Sequence, residues 1–158
     1  MRTYHAIDVA KRFLELAKDD AEALQDLTNM KLQKLCFFAQ LVSVFNNAQI
    51  PLIAEPFHAW DYGPVEPKLF KLIKHFGATY FSLNTPAVAE AFSVAEKIED
   101  ADALEIIGGV WEKFKTWTAV NLSQLTHRRN SPWAVVYNEN RYGVIPNEYM
   151  VKYCWGED

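Results

Sequence analysis

Hydrophobic positions recur at helical spacing along most of the chain, and this periodicity predicts the elements. Ile7, Ala10, Phe13, Leu14 and Ala17 line one face of residues 7–18, while Lys11, Arg12, Glu15 and Lys18 take the other, as in an amphipathic helix. Asp19, Asp20 and Glu22 form a polar connection with room for a further helical turn. Thr28 stands where an N-cap belongs, its hydroxyl placed to accept from the first turn of the helix that follows. That helix, predicted to about Phe45, is apolar around most of its circumference through Met30, Leu32, Leu35, Cys36, Phe37, Phe38, Leu41 and Val44. Such a pattern marks a helix enclosed by others, so residues 28–45 are the predicted centre of the fold, with Asn46-Asn47 as the stop.

Residues 51–67 hold Pro51, Pro56, Pro64 and Pro67 and cannot form a regular helix. From Pro67 to the Gly77 cap, Leu69, Leu72, Ile73 and Phe76 make an apolar stripe opposite Lys68, Lys71 and Lys74, predicting a third helix. Residues 78–96 favour no single element: Thr85-Pro86 suits the start of a short helix, and Tyr80-Phe81 or Phe92 to Val94 suit short strands. Asp100 or Asp102 caps a helix with Leu104, Ile107, Trp111 and Phe114 on its core face, although Gly108-Gly109 lowers its intrinsic stability by about 1 kcal/mol per glycine. Thr118 starts a shorter helix through Leu122 and Leu125, ended by the polar run 127–131 and Pro132. A last helix follows Pro146, through Tyr149, Met150 and Tyr153. The fold class is therefore mainly α: a single compact helical domain, residues 1–158, around a central buried helix, with room for one small β element. Trp60, Trp111 and Trp133 are expected to be largely buried.

Composition narrows the function classes. A chain of 158 residues, half of them hydrophobic, can bury about 70% of its unfolded surface without a metal or disulfide. A net charge of -4 gives no global attraction to nucleic acid or an anionic membrane. Cys36 and Cys154 read as buried free thiols, which suits a reducing, cytoplasmic setting. The densest apolar run, residues 35–39, is far below the ~20 residues that span a bilayer. Residues 1–5 lead into a charged amphipathic stretch instead of a secretory h-region.

Residues 56–67 are the most unusual segment, with Phe57, Trp60 and Tyr62 around a Gly63-Pro64 turn. Gly63 can take backbone angles closed to other residues and Pro64 fixes the next one, so Asp61 and Tyr62 are held in a defined geometry. Either Phe57 and Trp60 plug the core while the turn reverses the chain, or the segment is a preorganised contact loop. Lys31 and Lys34 read as a solvated face or, for Lys34, as an ion pair with Asp61. His127 has no HxxxH or HxH partner and fits a helix end better than a metal site. No phosphate loop, nucleophile elbow or triad is legible, so no catalytic residue and no cofactor is expected. Lys68, Lys71 and Lys74, with Arg128-Arg129, offer local basic clusters, but no helix-turn-helix spacing accompanies them and a solvated face is the plainer reading.

Leu27-Thr28-Asn29-Met30-Lys31-Leu32-Gln33-Lys34-Leu35, then Ala59-Trp60-Asp61-Tyr62-Gly63-Pro64-Val65, then Leu122-Ser123-Gln124-Leu125-Thr126-His127 with Pro132-Trp133, resemble in order and spacing the signature of the Panacea-domain family of SocA-like antitoxins and phage-associated proteins. The likeness extends over about residues 7–153. It implies a mainly helical intracellular domain, common in bacteria and prophages, whose members include antitoxins that neutralise a toxin encoded beside them by direct binding. One branch resembles a proteolytic adaptor that delivers its toxin to ClpXP. On this resemblance Thr28, Leu32, Trp60, Gly63, Pro64, His127 and Trp133 are motif positions, and Lys34, Asp61, Tyr62, Arg128 and Arg129 are candidate contacts for the toxin. Cys36-Phe37-Phe38 departs from the family's Leu-Tyr-type stretch and reads as core variation. The expected function is stoichiometric, non-enzymatic binding of a toxin; the alternative is a phage or host regulator that binds DNA.

Overall fold

The computed structural model describes residues 1–21, 27–47, 49–77, 81–154 and 156–157. Helix α1 (Ala6–Lys18) buries Val9, Ala10, Phe13, Leu14 and Ala17, with Asp8 closing its N-terminus by accepting from the His5 backbone. Glu22, read above as part of a polar connection, lies outside the described residues. Helix α2 (Asn29–Asn46) begins at Thr28, whose side chain accepts from the Lys31 N–H as the cap pattern requires. Every residue from 31 to 41 is buried, because α1, helices from the later chain and a small sheet all pack on this helix.

The segment read as a proline-rich loop contains a β-hairpin. Strand β1 (Phe57–Trp60) pairs antiparallel with β2 (Gly63–Val65) on one side and with β3 (Val144–Ile145) on the other, in register His58 to Val65 and Phe57 to Ile145. Strands of four, three and two residues are too short to show an alternating pattern, and Pro64 is tolerated because β2 is an edge strand. The β element therefore lies here. Phe81 is in an irregular stretch and Phe92 caps the short helix α4 (Pro86–Ala91), so neither is in a strand; Tyr80 lies outside the described residues.

Glu66 caps α3 (Pro67–Ile73), which continues as a 3-10 turn, Lys74–Phe76, ending at Gly77 with φ +73. Helix α5 (Ala101–Phe114) is continuous through Gly108-Gly109: Asp100 caps it by accepting from Asp102 and Ala103, and burial of Ile107, Trp111 and Phe114 offsets the glycines. Thr118 caps α6 (Ala119–Thr126). A helix absent from the sequence reading follows, α7 (Pro132–Glu139), with Ser131 as cap and Pro132 in its first turn. The proline read as a terminator is an initiator, since at this position its missing N–H has no helical partner to lose. Helix α8 (Asn147–Lys152) follows Pro146. The class is mainly α, and among the described residues no helix is long and apolar enough to cross a membrane.

Trp111 and Trp133 are buried as expected, whereas Trp60 is only partly buried, meeting Phe70 edge to face at 5.0 Å. Burial pushes the Cys36 thiol pKa well up, while Cys154 is only partly buried.

Two glutamines on α2 carry the 53–66 segment. Gln40 donates to the Ile53 carbonyl (3.0 Å) and accepts from the Ile53 N–H (2.8 Å); Gln33 does the same for Glu66 (3.1 and 2.9 Å). Gln40 thus satisfies an Ile53 N–H and carbonyl that no strand or helix pairs, while Gln33 meets the Glu66 N–H and shares its carbonyl with the Phe70 N–H of α3. Replacing Gln40 by Leu leaves both Ile53 groups buried and unpaired, at roughly 1–3 kcal/mol each. A loss of about 2–4 kcal/mol in urea unfolding is expected; a change below about 0.5 kcal/mol would mean that water reaches Ile53.

Candidate functional site

The walls of the main concavity come from the first turn of α2, the hairpin, α3 with its 3-10 turn, and the first turn of α6. They enclose a groove of about 770 Å³ lined by Asn29, Gln33, Lys34, Trp60, Tyr62, Phe70, Lys74, Val120 and Tyr142 among others. Four of the large apolar side chains most open to solvent, Tyr62 (72%), Val120 (61%), Tyr142 (49%) and Phe70 (37%), surround this one groove. Apolar residues scattered singly over a surface need no explanation, but their convergence on a concavity is characteristic of an interaction site.

Asp61, in the hairpin turn, holds the rim together. Its Oδ1 accepts from the Tyr137 hydroxyl (2.7 Å) and from Arg141 Nε and Nη2 (2.9 and 2.7 Å), and its Oδ2 accepts from the Tyr142 hydroxyl (2.8 Å). These donors, Tyr137 foremost, hold its carboxyl below the usual carboxylate range. Tyr142 takes a φ of +67, rare for a residue with a large side chain. Its N–H donates to the Ala59 carbonyl, so the hairpin and the β3 approach share one hydrogen-bonded frame.

Behind the turn, His127 stacks on Trp133 (3.9 Å between centroids), Trp133 stacks on Tyr137 (4.5 Å), and the Arg141 guanidinium lies over the rings of Tyr137 and Tyr142. Trp133 Nε1 donates to the Trp60 carbonyl and Ser123 to the Tyr62 carbonyl, both at 2.7 Å, so the turn is tied to α7 and α6 on either side. His127 is therefore one plate of an aromatic stack; burial, and then the charge of Lys34, lower its pKa.

Lys34 and Lys31 correct the sequence reading. Both are buried, not on a solvated face, and Lys34 forms no ion pair with Asp61, which is taken by Arg141. Lys34 Nζ has one long contact, 3.4 Å to the Pro64 carbonyl, and burial pushes its pKa down to about 8. Lys31 Nζ donates to the Lys115 carbonyl at 2.6 Å. Gly63 makes this packing feasible: its φ is +118, and a Cβ there would sit 2.7 Å from Lys34 Cε.

Of the five contact candidates, Lys34, Asp61 and Tyr62 come together at the groove and the two arginines do not. Arg128 borders a separate concavity with Trp117 and Asn121, and Arg129 faces Glu157 at 3.5 Å. Phe70, Val120, Tyr137, Arg141 and Tyr142 belong to the site and were missed. The spacing of Trp133 and Tyr137, four residues apart, was a usable signal once a helix was placed after Ser131; Arg141 lies beyond the end of that helix.

Lys34 makes the pH dependence of stability specific. Below pH 8 the lysine is charged in both the folded and the unfolded chain, and its burial costs the full penalty. Between about 8 and the ordinary 10.5 the unfolded chain keeps a proton that the folded chain has released, so stability rises with pH across that window. At about 1.4 kcal/mol per pKa unit, and allowing for the lost contact to Pro64, Lys34→Met should stabilise the protein by about 2–3 kcal/mol at pH 7. Urea midpoints of both forms at pH 7 and pH 9.5 test this: the gap should narrow at the higher pH, and an unchanged gap would remove the charged-lysine account.

Residues 32–134 match the family described as Antitoxin SocA-like, Panacea domain. The chain is 27% identical over 133 residues to Antitoxin SocA of Caulobacter vibrioides (strain NA1000 / CB15N), covering 82% of this chain and 70% of that protein. No solved structure matches it. Since the matched stretch runs from α2 through the hairpin to the start of α7 and holds most of the groove, the chain belongs to the SocA-like antitoxin family that carries the Panacea domain.

Proposed function

We propose that this protein is a cytoplasmic antitoxin that neutralises a toxin encoded beside it by stoichiometric binding, with the groove as the contact surface. The observation that carries this reading is the convergence of Tyr62, Phe70, Val120 and Tyr142 on one concavity whose rim is already fixed by Asp61, Arg141 and Trp133. A rim ordered before binding lowers the entropy lost on association, which favours tight masking of a partner without chemistry. Family membership supports the antitoxin role, and the relative's name supports a protein partner. A protein partner is favoured over DNA because the site is apolar, the chain is acidic, and Arg129 is already faced by Glu157.

Tyr62 is the leading contact, since it is large, aromatic and 72% exposed at the end of a fixed turn. Lys34 and Asp61 shape the site, and Arg128 and Arg129 serve at most its periphery. The experiment is growth of bacteria expressing the neighbouring gene, with and without this chain, followed by co-purification. Growth arrest relieved by the wild-type chain and a recovered 1:1 complex are expected. Tyr62→Ala should leave the stability within about 0.5 kcal/mol yet weaken the complex at least tenfold. If the Tyr62→Ala, Val120→Asp double variant rescues growth and binds as the wild type does, the contact surface lies elsewhere.

A further inference from the structure

Lys34 carries a charge that finds no counter-ion among the described residues. It lies 1% exposed on the groove wall, and its ammonium, with three protons to donate, has the single long contact to Pro64. The neighbouring carboxylates are engaged elsewhere: Asp61 by Arg141, Tyr137 and Tyr142, and Glu66 by the Lys68 and Leu69 backbone at the start of α3. Besides Asp61, the charged residue that shares the groove lining with Lys34 among the described residues is Lys74, also a cation. A second polar atom on the same wall is unmet as well. Asn29 donates through Nδ2 to the Gly77 carbonyl at 2.7 Å, while its Oδ1 is buried with no partner among the described residues.

We propose that the groove seats an apolar peptide segment of the partner protein that carries an Asp or Glu, whose carboxylate pairs with Lys34 while a peptide N–H meets Asn29 Oδ1. An unpaired buried cation calls for an anion, and an unmet carbonyl oxygen calls for a donor. A polypeptide bearing an acidic side chain supplies both, and the apolar rim takes its flanking residues. The arrangement makes the lysine unfavourable in the free protein and favourable in the complex, which selects for an acidic partner over an apolar one of the same shape. The identity of that partner as a toxin rests on the proposed function; the requirement for a carboxylate does not.

The test uses the full chain and a set of capped synthetic helical peptides. Each has leucines at positions i, i+3, i+4 and i+7, with one Glu moved through the positions of that stripe, and each has a Gln twin. Affinities are measured by calorimetry at pH 7 for the wild type and for Lys34→Met. For at least one register the Glu peptide should bind the wild type at least tenfold more tightly than its Gln twin, and this preference should vanish in Lys34→Met, closing a double-mutant cycle. Equal affinity for every Glu and Gln pair, a preference that survives in Lys34→Met, or no binding by any peptide would overturn the proposal. So would tighter binding of decanoate than of any peptide, or occupation of the groove by a second copy of the chain in light scattering. Growth rescue without a Glu preference removes the carboxylate and leaves the antitoxin reading; a Glu preference without rescue does the reverse.

Discussion

Helix α2 is enclosed on all sides yet carries Lys31, Gln33, Lys34, Gln40 and Ser43 among its buried residues, and the rest of the structure depends on how those polar groups are met. Gln33 and Gln40 lie two helical turns apart on one face. Each meets a backbone N–H and carbonyl as a neighbouring strand would, at Glu66 and at Ile53, so the two ends of the intervening chain are held against the helix at a fixed register. The hairpin has to form where it does because its two ends are held by a rigid element. An enclosed helix with only apolar side chains would bury the same area but would leave the path of residues 53–66 unspecified.

That register then decides the site. The hairpin turn is carried over α6 and α7, where Trp133 and Ser123 take the carbonyls of Trp60 and Tyr62. Asp61 collects Tyr137, Arg141 and Tyr142, and the stack from His127 through Trp133 to Arg141 stiffens the back of the turn. Gly63 lets the backbone lie against Lys34, which shuts that lysine away from water. The same packing that fixes the rim therefore creates the unpaired charge, and rigidity and electrostatic bias of the groove have one origin. The resemblance seen in three separated sequence segments has a physical counterpart: α2, the hairpin and the α6–α7 corner are the pieces that meet at the groove.

Much of the helical fold was legible because its signals are local. The apolar stripe of α1, the all-round apolarity of α2, and caps at Thr28, Asp100 and Thr118 each act within one or two turns. A chain reversal beside Gly63 and the prominence of Tyr62 were legible for the same reason, although the turn itself is Asp61-Tyr62 and Gly63-Pro64, read as the turn, open strand β2. Strands of two to four residues carry too little periodicity to be seen, and Pro132 reads equally well as the end of one helix or the start of the next.

The sequence by itself determined the mainly helical class, the central place of α2 and the segments that tie the chain to its family. Only the tertiary structure decided the charges. A lysine on a helix pattern reads as solvated or paired according to what covers it, and the cover of Lys34 comes from Gly63 and Pro64. The partner of Asp61 is Arg141, 80 residues along the chain, because the approach to β3 returns beside the hairpin. Hydrophobic burial follows a local period that a sequence displays, whereas the pairing of buried polar groups is set by which distant segments meet, and no local pattern records it.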